Sequence, residues 1–496
     1  MTIKRLVIDN FRSIDHLELN LGSINALIGP NNVGKSNILT ALNLVLGETW
    51  PSRPLPESDY HNYNNDDPDR PIEIKVTFDE PLLSDTSVRG FCLRYSPDQG
   101  PEYFPIDSAG DRCRYPGGNQ KRISNQMRSE RALLYLDLER QAERQIRATQ
   151  WTLYGKLLAH IESTILLEHK RSFASEATTS FDAHVRSSLE NAQTIIDEFV
   201  RRQTGLQVNL EFKTLDPSDV LKNVRPFVLD GSMSFDVVEV GAGVQSAVAI
   251  AIARAYASLV RTPLMLAVEE PELYLHPHGC RNFYHLLRTL AETENLQIVY
   301  TTHNRAFVDA GQFDAIHIVR KNACGTLVKS GSSISLPSSP RDRLRIHSKF
   351  NERVNEVFFA SCVVLVEGPG DEVACRCALE AQGLDLDRQS ISVIDVGGNS
   401  EVPPLAQVLV QFDTPTLALL DEDPGNTNTA AILTQTKEIL SSVNLFIQRP
   451  KLEGIFGLRS KPSRVQAMSL FPGWFALNPV PQPYVDLANR IKSILN

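Results

Sequence analysis

Two stretches of this chain, more than three hundred residues apart, hold side chains suited to phosphate chemistry. The first, Gly29-Pro30-Asn31-Asn32-Val33-Gly34-Lys35-Ser36, fits the spacing G-x-x-x-x-G-K-[ST]. Its glycines let backbone N–H groups wrap phosphate oxygens, and a following helix adds the positive end of its dipole. There Lys35 would reach the β- and γ-phosphates of ATP, and the Ser36 hydroxyl would bind Mg²⁺. The second stretch, VVLVEGPGDEVA (363–374), ends an apolar run on Glu367, turns through Gly-Pro-Gly and presents Asp371 and Glu372. A later run, TLALLDED, ends on Asp421, Glu422 and Asp423. Residues two apart on an extended chain point the same way, so Asp421 and Asp423 offer two carboxylates to one spot. Acids gathered at one edge repel each other unless cations share the site. Hard oxygen ligands of this kind suit Mg²⁺ or Mn²⁺.

Between the two lie further candidates. LMLAVEEPELYLHP places Glu269 and Glu270 at the end of a buried strand, where one can hold the magnesium shell and the other can polarise the attacking water. The usual metal-side residue is Asp; here it is Glu269, one methylene longer. TTHN puts His303 at the end of another strand, within reach of a γ-phosphate. The turn VGAGVQSAV (240–248) opens an apolar helix, and its amides, around Gly241, Gly243, Gln245 and Ser246, could contact phosphates held on another subunit.

These side chains need sheets and helices to carry them. Residues 3–9, 16–21 and 72–78 alternate as strands, and SINALIG is a short buried strand running into Gly29. The text from about 128 to 202 reads as helical, with apolar residues three and four apart. LQVNLEF (206–212) and MSFDVVEV (233–240) read as strands, GVQSAVAIAIARAYASLV as a helix, and PLMLAVEE, QIVYTTH and AIHIVRK as strands. KSGSSISLPSSP (329–340) reads as a linker. After it, a helix near 350–360 precedes VVLVEG, SISVID and TLALLDED, with helices between them. Alternation of this kind predicts a second, smaller α/β unit with a parallel sheet. The expected division is residues 1–335 and 336–496.

Composition sets the frame. A chain of 496 residues with 42% hydrophobic and 22% charged residues is globular and holds more than one domain. No apolar run reaches eighteen residues, so no membrane-spanning helix is expected, and the opening MTIKRLVIDNFRSIDHLELNL lacks the apolar core and cleavage site expected of a signal peptide. Seven scattered cysteines without metal-knuckle spacing fit a reducing cytoplasm. A net charge of −9 argues against general coating by nucleic acid. Residues 441–496 nevertheless hold seven Lys or Arg against two acids. They form a candidate basic track or an ordinary solvated face.

The order of phosphate loop, Gly-rich turn, paired Glu and His resembles the ATP-binding-cassette heads of the SMC and RecF-like group. Asn31-Asn32 followed by GKSN, which includes Asn37, and EEPELYLHP carry that likeness. It implies two heads sandwiching two ATP molecules, with residues 241–246 completing the opposite site. The stretch 128–202 is then either a dimerisation element or a lobe of the head. Glu367 followed by Asp421 and Asp423 resembles a Toprim domain, with Asp371 matching the second acid of its nuclease branch. Ser400 and Glu401 match its middle motif, Glu453 is a candidate for a further metal ligand, and Lys461 is a candidate for transition-state charge. Together the two halves resemble the OLD (overcoming lysogenisation defect) family of ATP-dependent nucleases.

That resemblance implies homodimers or higher homo-oligomers that cut DNA with two divalent ions in the Toprim site and a third with ATP. Service in phage defence, with a second defence protein, is implied as well. Arg459, Lys461 and Arg464 would grip the DNA phosphates. Two other outcomes suit the same residues: an ATP-driven DNA-binding or signalling switch that does not cut, and a nuclease acting on RNA such as tRNA.

Overall fold

The computed structural model describes all residues except 1, 48, 62–69, 97, 138–145, 150–151, 205, 208–220, 222, 261–263, 274, 294–295, 309, 335–353, 423–425 and 496. The first strands, β1 (Ile3–Phe11) and β2 (Ile14–Asn20), form a hairpin whose corner places Asn10 and Arg12 at positive φ. β3 (Ile24–Ile28) is buried along its length and leads into Gly29. β4 (Ile72–Phe78), β5 (Gly90–Ser96) and β6 (Gly100–Ile106) join the hairpin in a five-stranded antiparallel sheet ordered β2-β1-β4-β5-β6.

A second sheet carries the phosphate loop. Its strands are β7 (Ala132–Leu136), β10 (Leu264–Glu269), β11 (Gln297–Thr302), β12 (Ile316–Asn322) and β13 (Gly325–Ser330), with β3 in the middle. The order is β13-β12-β3-β11-β10-β7, parallel except for β13. β8 (Phe227–Asp230) and β9 (Met233–Asp236) form a separate hairpin. The third large sheet is wholly parallel: β15 (Ile391–Asp395), β14 (Cys362–Val366), β16 (Thr416–Asp421) and β17 (Leu445–Gln448), in that order.

Side-chain alternation divides the cores. Leu27, Met265, Ala267 and Val299 face the helix Lys35–Leu46 and the antiparallel sheet. Ile24, Ala26 and Ile28 face the other way, into a core shared with Phe307, Phe313, Val357, Phe358, Val363, Leu365 and Phe412. That core therefore runs from the phosphate-loop sheet into the parallel sheet. Phe412 lies with its ring centroid 5.5 Å from Phe358 and 6.4 Å from Phe313. Cys362, Val364 and Val366 point to the opposite face, under the helices Pro369–Ala381, Arg464–Leu477 and Gln482–Leu495. Tyr484 is fully buried there, with its hydroxyl on Gln448.

The α/β architecture expected of both halves is present, with several local corrections. The stretch expected to be helical from 128 begins with the end of a short helix, Asn125–Ser129, and is then interrupted by strand β7; its long helices are Leu153–Thr164, Leu167–His184 and Arg186–Thr204. ALLYL is a short apolar run that periodicity cannot assign, and parallel pairing with β10 decides it. The expected strand 233–240 ends at Asp236 and continues as a 3-10 turn, Val237–Glu239. Residues 329–333 belong to β13 and the turn after it, not to a linker. The helix expected near 350–360 is a 3-10 turn, Val354–Phe359. Residues 208–212 and the division at 335–336 lie outside the described residues. Among the described residues no helix is long and apolar enough to cross a membrane.

Candidate functional site

Parallel pairing of β3, β11 and β10 brings their carboxyl ends to one edge, the usual functional edge of such sheets. From β3 the chain enters the phosphate loop. Gly34 holds φ 105°, and a Cβ there would lie 2.2 Å from Thr326 Oγ1 and 2.6 Å from Ser13 Oγ. A Cβ on Gly29 would lie 2.1 Å from the Val319 carbonyl oxygen. Both positions thus require glycine. Asn31 and Asn32 are exposed on the loop, and Ser36 is exposed in the first turn of the helix Lys35–Leu46. Asn37 faces backwards: its Nδ2 donates to Ser13 Oγ at 2.8 Å, and its Oδ1 accepts from Arg12 at 3.4 Å. It braces the loop from behind.

Lys35 is buried, and its ammonium donates to the carbonyls of Gly29 (2.9 Å) and Pro30 (2.7 Å). Burial pulls its pKa down to about 8, against the opposing pull of Glu270, Glu272 and Glu269. Glu269, buried at the end of β10, accepts a 2.9 Å hydrogen bond from the Tyr135 hydroxyl. Glu270 holds φ 41°, and its N–H reaches the Thr301 carbonyl at 3.0 Å. Its Oε1 lies 3.6 Å from His303 Nε2. Burial, then Lys35, pull the His303 pKa down to about 4, so the ring is neutral at physiological pH. Sequence reading missed Glu272, which accepts from the His303 N–H (2.7 Å) and Thr302 Oγ1 (2.9 Å). A third acid in EEPE was its only signal. Tyr135 was missed as well. Gly243 and Ser246 line a small pocket with Asp137 and Glu269 of the same chain. Ser246 Oγ donates to Ala242 O, and Gln245 Nε2 donates to Val238 O and Val240 O.

The second cluster lies at the carboxyl edge of the wholly parallel sheet. Glu367 follows β14 and Asp421 ends β16, its neighbour; the Asp421 N–H donates to Glu367 Oε1 at 3.0 Å. Asp371 comes from the first turn of helix Pro369–Ala381 and is 1% exposed. These three acids converge on Lys461 Nζ, at 3.4 Å from Glu367, 2.8 Å from Asp371 and 3.0 Å from Asp421. Burial raises the carboxyl pKa of Glu367, and that of Asp371 to about 7, while Lys461 opposes both shifts. The acids in turn hold the Lys461 ammonium above its ordinary range, against burial.

Glu453 lies on the short helix Leu452–Phe456, with Oε2 buried and without a hydrogen-bond partner. Asp423 lies outside the described residues. Ser400 and Glu401 are in the turn after β15, and the Gly398 N–H donates to the Glu367 carbonyl at 2.7 Å.

Among the described residues no group of three or more His, Cys, Asp or Glu is a ready-made metal cage, and Lys461 supplies positive charge between the acids. The donor set still suits hard divalent ions. Three carboxylates share one cation, and Asp371 Oδ1 and Glu453 Oε2 are buried without hydrogen bonds. The basic tail differs from expectation. Arg464 pairs with Glu372, Arg449 with Glu422 (2.5 Å), and Lys461 with the three acids, while Arg490 donates to Asn444 and Lys492 to the Gln382 carbonyl. Arg459 is exposed. Most of the tail's positive charge is therefore already engaged.

The AAA ATPase domain model matches residues 1–99 and 102–308. The TOPRIM domain of overcoming lysogenization defect protein-like proteins matches residues 358–423. An OLD nuclease of Thermus scotoductus is 31% identical over 438 residues, covering 85% of this chain and 82% of that protein. The Old nuclease of Escherichia phage P2 is 25% identical over 483 residues, covering 88% and 79%. A shorter match of 79 residues, 34% identical, links 16% of this chain to 13% of Endonuclease GajA of Bacillus cereus. An ATPase domain and a TOPRIM domain occupy one polypeptide, and the chain belongs to the OLD nuclease family.

Proposed function

We propose that this ATPase and nuclease is an ATP-regulated, metal-dependent DNA endonuclease or nickase, and that it acts in phage defence as a homodimer. The observation that carries the reading is the meeting of Glu367, Asp371 and Asp421 at one sheet edge, on a shared cation. Glu367, Asp371 and Asp421, with Asp423 and Glu453, would hold divalent ions, whose chemistry when bound would be to activate water and offset charge on the leaving oxygen. Asp371, buried and raised toward neutrality, is the acid most in need of a cation before it ionises. Lys461, freed by such ions, is placed to meet charge that builds on the scissile phosphate. At the other site Lys35 and Ser36 would hold the phosphates of Mg–ATP, Glu269 would serve as the ion's carboxylate, Glu270 would accept a proton from the attacking water, and neutral His303 would reach toward the γ-phosphate. Nucleotide occupancy then controls how two heads pair. Cytoplasmic residence accords with seven free thiols.

A plasmid-cutting assay with Mg²⁺ or Mn²⁺, with and without ATP, tests the reading. Wild type should nick or linearise the plasmid, Asp421→Ala should lose at least a hundredfold in rate, and Lys35→Ala should lose only the ATP effect. No cutting by wild type would favour a non-cutting switch, and cutting of tRNA alone would make it a ribonuclease.

A further inference from the structure

The engaged charge of the C-terminal tail leaves open where a nucleic acid would be gripped, and the antiparallel sheet offers a place. After β6 the chain turns back on itself. Ile106 bridges to Arg112, and the Cys113 N–H donates to the Pro105 carbonyl at 2.9 Å. It then doubles again: Arg114 bridges to Gln120, Lys121 N–H donates to Cys113 O at 2.9 Å, and Tyr115 N–H donates to Asn119 O at 2.8 Å. The result is a short two-stranded arm, residues 112–122, tipped by Pro116-Gly117-Gly118.

Alternation sorts its side chains. Cys113 and Lys121 face inward, 4% and 9% exposed, and Lys121 is tied to Asp85 at 2.6 Å. Arg112, Arg114, Gln120 and Arg122 therefore share the outward face. Arg112 is anchored by Glu102 at 3.0 Å and lies over the Phe104 ring. Arg114 and Arg122 are exposed and make no ion pair or hydrogen bond among the described residues. Tyr115, 52% exposed, stands at the tip. Of the six basic residues in 112–131, Arg112 and Lys121 are paired with Glu102 and Asp85, Arg128 donates to the Gly47 carbonyl and Arg131 is buried, so Arg114 and Arg122 carry the arm's unpaired charge in a chain of net charge −9.

We propose that this arm is a grip for the phosphate backbone of duplex DNA, with Arg114 and Arg122 as its phosphate contacts. The inference rests on the reading above that DNA is the substrate. Two guanidiniums on one face of a β-ladder, unneutralised in an acidic protein, suit a regular line of phosphates and read no sequence. Each such contact releases counterions, so it is visible in the salt dependence of binding.

The test measures anisotropy of a fluorescein-labelled DNA duplex bound to the full-length protein across a salt series. Asp421→Ala serves as the background, so that no strand is cut. Adding Arg114→Gln and Arg122→Gln should weaken binding at least tenfold, equally for unrelated sequences. The log–log salt slope should become shallower by about 2. Arg114→Glu with Arg122→Glu should weaken it further, while ATP hydrolysis without DNA and the melting temperature stay unchanged. Unchanged affinity and slope would overturn the arm, as would a parent protein that binds no duplex. A duplex RNA bound more tightly than DNA, through the same arginines, would overturn the DNA assignment. If the arginines govern binding while wild type never cuts, the arm stands and the nuclease reading falls.

Discussion

The Tyr135 hydroxyl donates to Glu269 Oε1 at 2.9 Å, from a strand that pairs in parallel with the one carrying Glu269. Of the two carboxylate oxygens, one is thereby fixed, and the extra methylene of Glu relative to Asp is given a definite course. Partners that orient a metal's ligands are commonly worth about 10–100-fold in metal affinity. Tyr135→Phe should therefore raise the Mg²⁺ concentration that half-saturates ATP hydrolysis about tenfold. Binding of a fluorescent ATP analogue without Mg²⁺ should not change. An unaltered Mg²⁺ titration would show that Tyr135 only packs.

Lys461 stands among three acids, so removing it leaves like charges facing each other. Lys461→Met should lower stability in EDTA by about 2 kcal/mol, less than a fully buried pair because the lysine is one-third exposed. Divalent cations can take over the lost role. Added Mn²⁺ should raise the melting temperature of the variant more than that of wild type; equal increments would count against metal binding by these acids.

His317 is fully buried, with Nδ1 2.8 Å from Ser330 Oγ and Nε2 3.1 Å from Asn25 Oδ1, and burial pulls its pKa to about 4. An unfolded histidine titrates near pH 6.5. Between these values the unfolded chain binds the additional proton, so this contribution is complete above about pH 6.5 and is lost as the pH falls toward 4. By pH 5 the loss is about 2 kcal/mol. His317→Gln has no such proton to gain. Urea midpoints at pH 7 and pH 5 should converge for the two proteins, and parallel declines would contradict the assignment.

Asn355 is 5% exposed, and its Nδ2 donates to the carbonyls of Val308 (2.8 Å) and Arg305 (3.4 Å). Next to it, Glu356 holds Arg305 with one oxygen and Ser392 of β15 with the other, each at 2.8 Å. The turn after His303 is thus fastened to the segment that leads into β14 and Glu367. Asn355→Ala should cost about 1–3 kcal/mol, as the Val308 carbonyl loses its donor. It should also reduce the ratio of plasmid cutting with ATP to cutting without it. A ratio equal to wild type's would place the communication elsewhere.

The phosphate loop was legible because its requirements are local: a buried strand, glycines where Thr326 and Val319 crowd the backbone, then a helix. Glu367 and Asp421 were legible for a different reason. Each ends an apolar run, and parallel strands deliver their ends to one edge whatever the separation in sequence. Tyr135 was hidden because a five-residue apolar run has no period of its own. The reach of Lys461 to three acids, 94 residues from Glu367 and 40 from Asp421, leaves no periodic trace either. Counting charge over residues 441–496 overstated their freedom, since Glu372 and Glu422 come from outside that window.

Phe412 sets its ring beside those of Phe358 and Phe313, so the phosphate-loop sheet and the wholly parallel sheet share an aromatic seam. A fragment holding only one of them would bare a greasy wall to water and would be expected to clump.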